Sequence, residues 1–247
     1  MQYQERTYRN QVKASDLVKF QITEQESDLL IMAEKNLFDK TLATLLSLRA
    51  EIKNFAKDKP DFLTSYKPLW LWPFFIPTVI RNMAWAGRRA GVGPMASVAG
   101  ALAELLGKEL LQHSKEVIIE NGRDIFIKTN FKRKIGIFAN TSTFSNRLAL
   151  EINPEDTPCG VCTSSGTVGH FFSYGKADAV VVIAKSAALA DAAATAIANQ
   201  VKSIETIQNG LRIAKKIRGL SGVLIIKDDQ LGVMGKIRLV SIYLKPA

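Results

Sequence analysis

The stretch that most constrains this chain is Ser186-Ala187-Ala188-Leu189-Ala190-Asp191-Ala192-Ala193-Ala194-Thr195-Ala196, in which seven of eleven residues are alanine. Alanine is the strongest helix former, and Ser186 is a suitable N-cap. The pattern therefore predicts a long helix from Ala187 to Val201. A helix with so few polar residues on any side belongs inside a protein. Other elements must surround it, and the carboxylate of Asp191 needs a partner there. The chain is long enough for this. At 247 residues it can bury about 70–75% of the surface its unfolded form exposes.

The rest of the sequence supplies those elements. Residues 17–23 and 28–35 read as two strands around the polar turn Glu24-Gln25-Glu26-Ser27, a hairpin. Leu42, Leu45, Leu46, Ile52 and Phe55 mark one apolar helix face from Asp39 to Lys57, and Pro60 blocks further helix. Lys67–Pro77 is an irregular segment with Trp70, Trp72, Phe74 and Phe75. It reads as a loop packed on the core or as an aromatic contact for a homo-oligomer. Helix resumes at Thr78–Arg89 and stops at Gly91-Val92-Gly93-Pro94. Pro94 suits the first turn of a new helix running through Leu111. Its small residues Ala96, Ala99, Gly100 and Ala103 admit another helix or a ligand close to its backbone.

Glu116–Thr129 reads as a hairpin turning at Asn121-Gly122. Strands are expected at 135–139, 147–152, 179–185, 222–227 and 236–244, with a short helix near 208–217. No Ser/Gly-rich or Pro-rich linker divides the sequence. The expected fold is one α+β domain over 1–247, with antiparallel sheets packed against helices. Strands that come in hairpins do not suit a doubly wound parallel sheet.

The net charge is +10, from 33 Lys and Arg against 23 Asp and Glu. Such a balance favours anionic partners. The clusters Arg88-Arg89, Lys132-Arg133-Lys134 and Lys215-Lys216 are too short for a nucleic-acid tail. A small anionic metabolite or nucleotide is the expected partner, with no nucleic acid and no membrane. The opening MQYQERTYRN lacks the apolar core of a signal peptide, and Leu69–Ile80 is too short to span a bilayer. The expected location is cytoplasmic.

Four clusters can carry chemistry. Thr163, Ser164, Ser165, Gly166 and Thr167 lead from Cys162 to His170. Hydroxyls and glycines at this density suit phosphate or carboxylate binding, and His170 can act as general acid or base. A plain polar turn is the alternative. Asp191 and Thr195 are four apart on one helix face. They can hold a hard cation such as Mg²⁺ through oxygen, or can be satisfied inside the core. Glu120-Asn121-Gly122-Arg123-Asp124 is either a ligand-contacting turn or a hairpin turn with a local ion pair. Cys159 and Cys162 have the spacing of a redox pair but no thioredoxin-like context. Walker and Rossmann phosphate loops are absent, as are H-E-x-x-H and G-x-S-x-G.

Taken in order, Gly93-Pro94-Met95-Ala96-Ser97-Val98-Ala99-Gly100, Glu120 to Ile125, Cys162 to Ala179 and Ser186 to Ala196 resemble the ApbE-like (flavin transferase) superfamily. They resemble its cytoplasmic branch over most of the chain. The resemblance implies an ApbE-like fold, FAD or FMN as ligand, and Mg²⁺ on Asp191 and Thr195. It also implies a proton-moving role for His170, with Ser97, Glu104, Asn121, Arg123 and Asp124 lining the site. Two departures bear on activity. The Lys of the transferase pattern falls at Ala99, and its Asp-Pro segment is replaced by Phe171-Phe172-Ser173-Tyr174-Gly175-Lys176.

Three functions compete at this stage. The leading one is binding of an anionic, nucleotide-like ligand with a divalent metal, and group transfer there as a Mg-dependent transferase. The second is thiol or sulfur transfer through Cys159 and Cys162. The third is non-catalytic partner binding through residues 67–77.

Overall fold

In the computed structural model the described residues are 14–71, 75–165 and 175–242. Expectations at Trp72, Phe74, Gly166, Thr167 and His170 lie outside them.

The chain begins with a hairpin of β1 (Val18–Glu24) and β2 (Ser27–Ala33). Four helices follow: α1 (Phe38–Asp58), α2 (Asp61–Thr64), α3 (Thr78–Ala90) and α4 (Val98–Leu110). α1 ends just before Pro60, as expected, but a short new helix follows at once. Pro60 stands at the N-cap of α2, where its missing N–H has no helical acceptor to lose. The helix expected from Pro94 starts as a 3-10 turn, Pro94–Ser97, before α4 begins.

Next come β3 (Val117–Asn121), β4 (Asp124–Lys128), β5 (Arg133–Gly136), β6 (Leu148–Ile152), β7 (Cys159–Ser164) and β8 (Ala179–Ala184). Two helices, α5 (Ala187–Ala198) and α6 (Ile207–Lys216), precede β9 (Leu220–Lys227), β10 (Gln230–Gly235) and β11 (Leu239–Ser241). The sequence reading missed β7 because its polar residues resemble a loop. It also missed β10, and within the range 236–244 expected as a strand the described residues are strand only at Leu239–Ser241. Gly235, at φ +73°, turns the chain out of the large sheet at the end of β10.

Eight strands form one antiparallel sheet in the order β1-β2-β3-β4-β7-β8-β9-β10, and a second sheet has the order β11-β6-β5. Helices cover one face of the large sheet, burying Ile31, Ile119, Phe126, Cys162, Val182 and Ile225. The small sheet covers the other face, with Ile135, Leu150 and Ile152 against Ile118, Ile127, Val161, Val181 and Leu224. Coverage on both faces explains why β8 is apolar throughout.

Helix α5 lies over β7 and β8 with α3 and α4 beside it. Its alanines are required by distance. A Cβ on Gly160 of β7 would lie 2.2 Å from Ala187 Cα, and one on Gly100 of α4 would lie 2.4 Å from Ala187 O. The small residues foreseen on α4 therefore admit a helix.

Arg133 does not contribute to a free basic cluster. It is buried, with Nη1 and Nη2 at 2.6 and 2.7 Å from the two Asp16 carboxylate oxygens and Nη2 at 3.0 Å from Glu116. Its Nε donates to Thr129 Oγ1 at 3.1 Å. The guanidinium fork fixes β5 to the start of β3 and to the segment before β1.

Candidate ligand site

The β3–β4 turn, the C-terminal end of β7, the N-terminus of α4 and the first half of α5 meet at one end of the central strands of the large sheet. The turn sets the geometry. Asn121 pairs with Asp124, so the loop consists of Gly122 and Arg123 and not of Asn121-Gly122 as the sequence suggested. Both have positive φ, +63° and +88°, as a two-residue I′ hairpin requires. A non-glycine residue in that region is strained. The Arg123 N–H donates to Glu120 Oε1 at 2.7 Å.

Asp124 lies opposite Cys162 on the neighbouring strand. Both face the helices, as do Phe126 and Ile119, and by strand alternation so do Asn121 and Ser164. Asn121 Nδ2 donates to Ala99 O at 3.3 Å. From α5, Asp191 Oδ2 accepts the Gly100 N–H at 2.9 Å, and the Ala99 N–H also supports its carboxylate.

Asp191 is thus a cap supplied by another helix. Ser97 precedes α4 but donates its hydroxyl back to Pro94 O at 2.7 Å, leaving the first N–H groups of α4 in need of acceptors. Glu104 of α4 acts in the opposite direction. It accepts from Ser186 Oγ at 2.7 Å, from the Ala188 N–H at 3.3 Å and from Lys108. Each helix caps the other.

Of the residues read from sequence as candidates, Asn121, Asp124, Cys162 and Asp191 come together, with Ser164 on the same face. Thr195 shares the Asp191 face of α5 and is half-buried. The structure turns others away. Ser97 is fully buried and directed at backbone carbonyls, and Glu104 is held by its capping bonds. Thr163 alternates to the opposite face of β7 from Ser164. Ser165 is buried.

The cysteines do not form a pair. Cys162 lies in the core under the helices and Cys159 in the core under the small sheet. Both thiols are buried. Burial pushes Cys159 up to about 12. Burial and then the carboxylates of Asp124 and Asp191 push Cys162 well up. A redox pair or a reactive thiolate is therefore absent at these positions.

The electrostatics centre on two acids. Burial raises Asp124 to about 7. Arg123, the Cys162 thiol and the Thr163 N–H pull it down, and Glu120 pushes it up. Asp124 Oδ1 is buried and has no hydrogen-bond partner among the described residues. Burial, and then the charge of Asp124, push Asp191 well up, although part of its side chain remains accessible. Cys162 Sγ lies 3.4 Å from Ala187 O, so its single proton has Asp124 and that carbonyl as competing acceptors.

Among the described residues no three His, Cys, Asp or Glu side chains form a ready-made metal cage. The donor set nonetheless fits a hard cation of the Mg²⁺ type. Such an ion is held by one or two carboxylates, with water and ligand phosphates completing the shell. Asp191, Asp124 and the Thr195 hydroxyl are oxygen donors of this kind. The backbone contribution of Ala99 and Gly100 and the pairing of Asp124 with Cys162 leave no local signal, because both depend on contacts distant in sequence.

A family model described as AbpE bacteria matches residues 9–226. The chain belongs to that family. The chain is similar to a UPF0280 protein of Methanococcus aeolicus, at 43% identity over 78% of this chain and 80% of the relative. It is also similar to a UPF0280 protein of Methanocaldococcus jannaschii, at 42% identity over 87% of this chain and 89% of that relative. Two solved structures share the architecture. The apo Pseudomonas stutzeri flavinyl transferase ApbE has a TM-score of 0.55 at 12% identity, covering 91% of this chain and 95% of that one. The Vibrio cholerae flavin transferase ApbE has a TM-score of 0.50 at 13% identity, covering 90% and 97%. At these identities the fold is what is shared. The mixed helix and antiparallel-sheet architecture expected from sequence is the fold of this AbpE family member.

Proposed function

We propose that this AbpE-family protein binds a flavin nucleotide or a closely related anionic nucleotide, together with a divalent cation, and that group transfer is the chemistry the site serves. The observation that carries the reading is the buried Asp124 carboxyl, whose Oδ1 lacks a partner among the described residues, beside the Asp191 carboxylate of α5. A buried acid beside a half-buried one needs a proton or a cation to be stable.

In this reading Asp191, Asp124 and Thr195 hold the cation. When bound, it neutralises phosphate charge and polarises a phosphoryl oxygen. The chain's own residues orient the ligand. Asn121, already tied to Ala99 O, and Ser164 present polar groups on the same face. Arg123 adds a cation at the turn. Cys162, Val182 and the alanines of α5 form the dry floor behind the carboxylates. His170 keeps the proton-moving role that the family resemblance implies.

Titrating the protein with FAD and with FMN, with and without Mg²⁺, and following flavin fluorescence tests the reading. Saturable binding that strengthens with Mg²⁺ is expected, and Asp191→Asn should remove the Mg²⁺ dependence. If neither flavin binds in either condition, the flavin reading is wrong.

A further inference from the structure

From Phe62 to Ala103 the sequence has no Asp or Glu, while Lys67, Arg81, Arg88, Arg89 and all three tryptophans of the chain lie in this interval. The structure shows where those among the described residues go. Helix α3 buries Val79, Ile80, Met83, Ala86 and Ala90 against the core. Its outer side carries Arg81, Trp85 and Arg89. The Arg88 guanidinium lies over the Trp70 ring at 4.9 Å, and that of Arg89 over the Trp85 ring at 5.2 Å. Among the described residues none of the three arginines is paired with a carboxylate; Arg81 donates to Thr78 Oγ1. Trp70 is 85% exposed and Phe75 is fully exposed. Phe75 also has φ +64°, a strained conformation for a bulky residue.

We propose that this face is a docking surface for an anionic lipid bilayer, with Trp70 and Phe75 entering the interface and Arg81, Arg88 and Arg89 meeting the headgroups. Charge complementarity decides the occupant. The interval has cations and no acids, and the net charge of +10 steers the whole molecule toward an anionic surface. A second copy docked about a two-fold axis would set arginine against arginine. A fluid interface accepts protruding aromatics without a matching groove, and Trp favours that depth. Stable attachment needs two signals, apolar insertion and a basic patch, and both are present on this one face. The attachment is peripheral, since α3 and α4 keep their apolar sides buried against the core and no single described helix is long and apolar enough to cross a membrane. This proposal departs from the expectation of a protein without a membrane partner.

The test uses the full chain with phosphatidylcholine vesicles, with and without phosphatidylglycerol. All three tryptophans lie in the interval, so intrinsic fluorescence reports on it directly. Co-sedimentation and a blue-shifted emission are expected only when phosphatidylglycerol is present. Arg88→Gln and Arg89→Gln should each weaken partitioning roughly fivefold. Trp70→Ser combined with Phe75→Ser should weaken it by about tenfold or more. The side chains of Trp70 and Phe75 are exposed, so melting temperature and far-UV circular dichroism should remain those of the parent. No co-sedimentation of the parent protein with anionic vesicles overturns the proposal, as do variants that bind like the parent. A blue shift that depends on protein concentration without vesicles also overturns it, in favour of self-association.

Discussion

Replacing Asp191 by Ala removes both the acceptor for the Gly100 N–H and a carboxylate beside Asp124. Loss of a helix cap commonly costs about 1 kcal/mol, whereas Asp191→Asn keeps an acceptor oxygen. Asp191→Ala should therefore melt below Asp191→Asn without metal, and neither should gain stability from Mg²⁺. The parent protein should gain roughly 2.7 kcal/mol at a hundred times Kd. Equal Mg²⁺ shifts in all three would exclude Asp191 as a ligand. Asp124 sets a pH dependence. Its carboxyl titrates at about 7 in the native protein and at about 3.9 when unfolded. Between these values the native state holds the extra proton, so stability falls as pH rises. This contribution is full below about pH 4 and gone above about pH 7. Asp191 shifts in the same direction. Urea midpoints for the parent should therefore fall relative to Asp124→Asn from pH 4 to 7, and the gap should stay constant above. Parallel curves across that range would mean that Asp124 is not held protonated.

Among the elements, α5 depends on close approach. A Cβ on Gly160 would meet Ala187 Cα and N, both backbone atoms that cannot rotate away. Gly160→Ala should therefore cost about 3 kcal/mol and move Asp191 relative to Asp124. Gly91 is the control. It ends α3 at φ +78° with open space around its Cβ position. Ala there should cost only about 1 kcal/mol, from left-handed backbone strain. Urea unfolding of the two variants gives the comparison, and equal losses would show that packing around α5 is more yielding than these distances imply. The reciprocal caps between α4 and α5 make these helices one mechanical unit. A shift in either changes the geometry around Asp191.

For the whole molecule, the question is which reaction the shared fold retains. Ala99 stands where the transferase pattern has a Lys, and the structure sets its backbone against both Asp191 and Asn121. A methyl group in that place supplies no charge to a pyrophosphate. Losing one preorganised electrostatic group commonly lowers rate by about 10²–10³, and the Asp-Pro segment near His170 is replaced as well. Flavin binding is expected, with FMN transfer from FAD to a conventional acceptor peptide slowed by at least that factor, so the group transfer proposed for the site would use another acceptor or donor. Incubation with FAD, Mg²⁺ and an acceptor peptide should leave the acceptor threonine unmodified by mass spectrometry. A covalent flavin adduct there would restore the full transferase reaction.

The sequence alone determined the elements whose signals are local. The hairpin of β1 and β2, helix α3 and the buried helix α5 all follow from periodicity, caps and turn residues within a few positions. It also identified Asp191 as a carboxylate that must find a partner. Only the tertiary structure decided which partner that is. The Gly100 N–H lies 91 residues away, and no local pattern encodes that distance. The same holds for β7. Its hydroxyls and glycine read as loop until strands on both sides and layers on both faces bury it. Strand alternation then separates Cys159 from Cys162 and Thr163 from Ser164. Local propensity is a short-range property of the backbone, whereas burial, pKa and side-chain direction are set by whatever the finished fold packs against each residue.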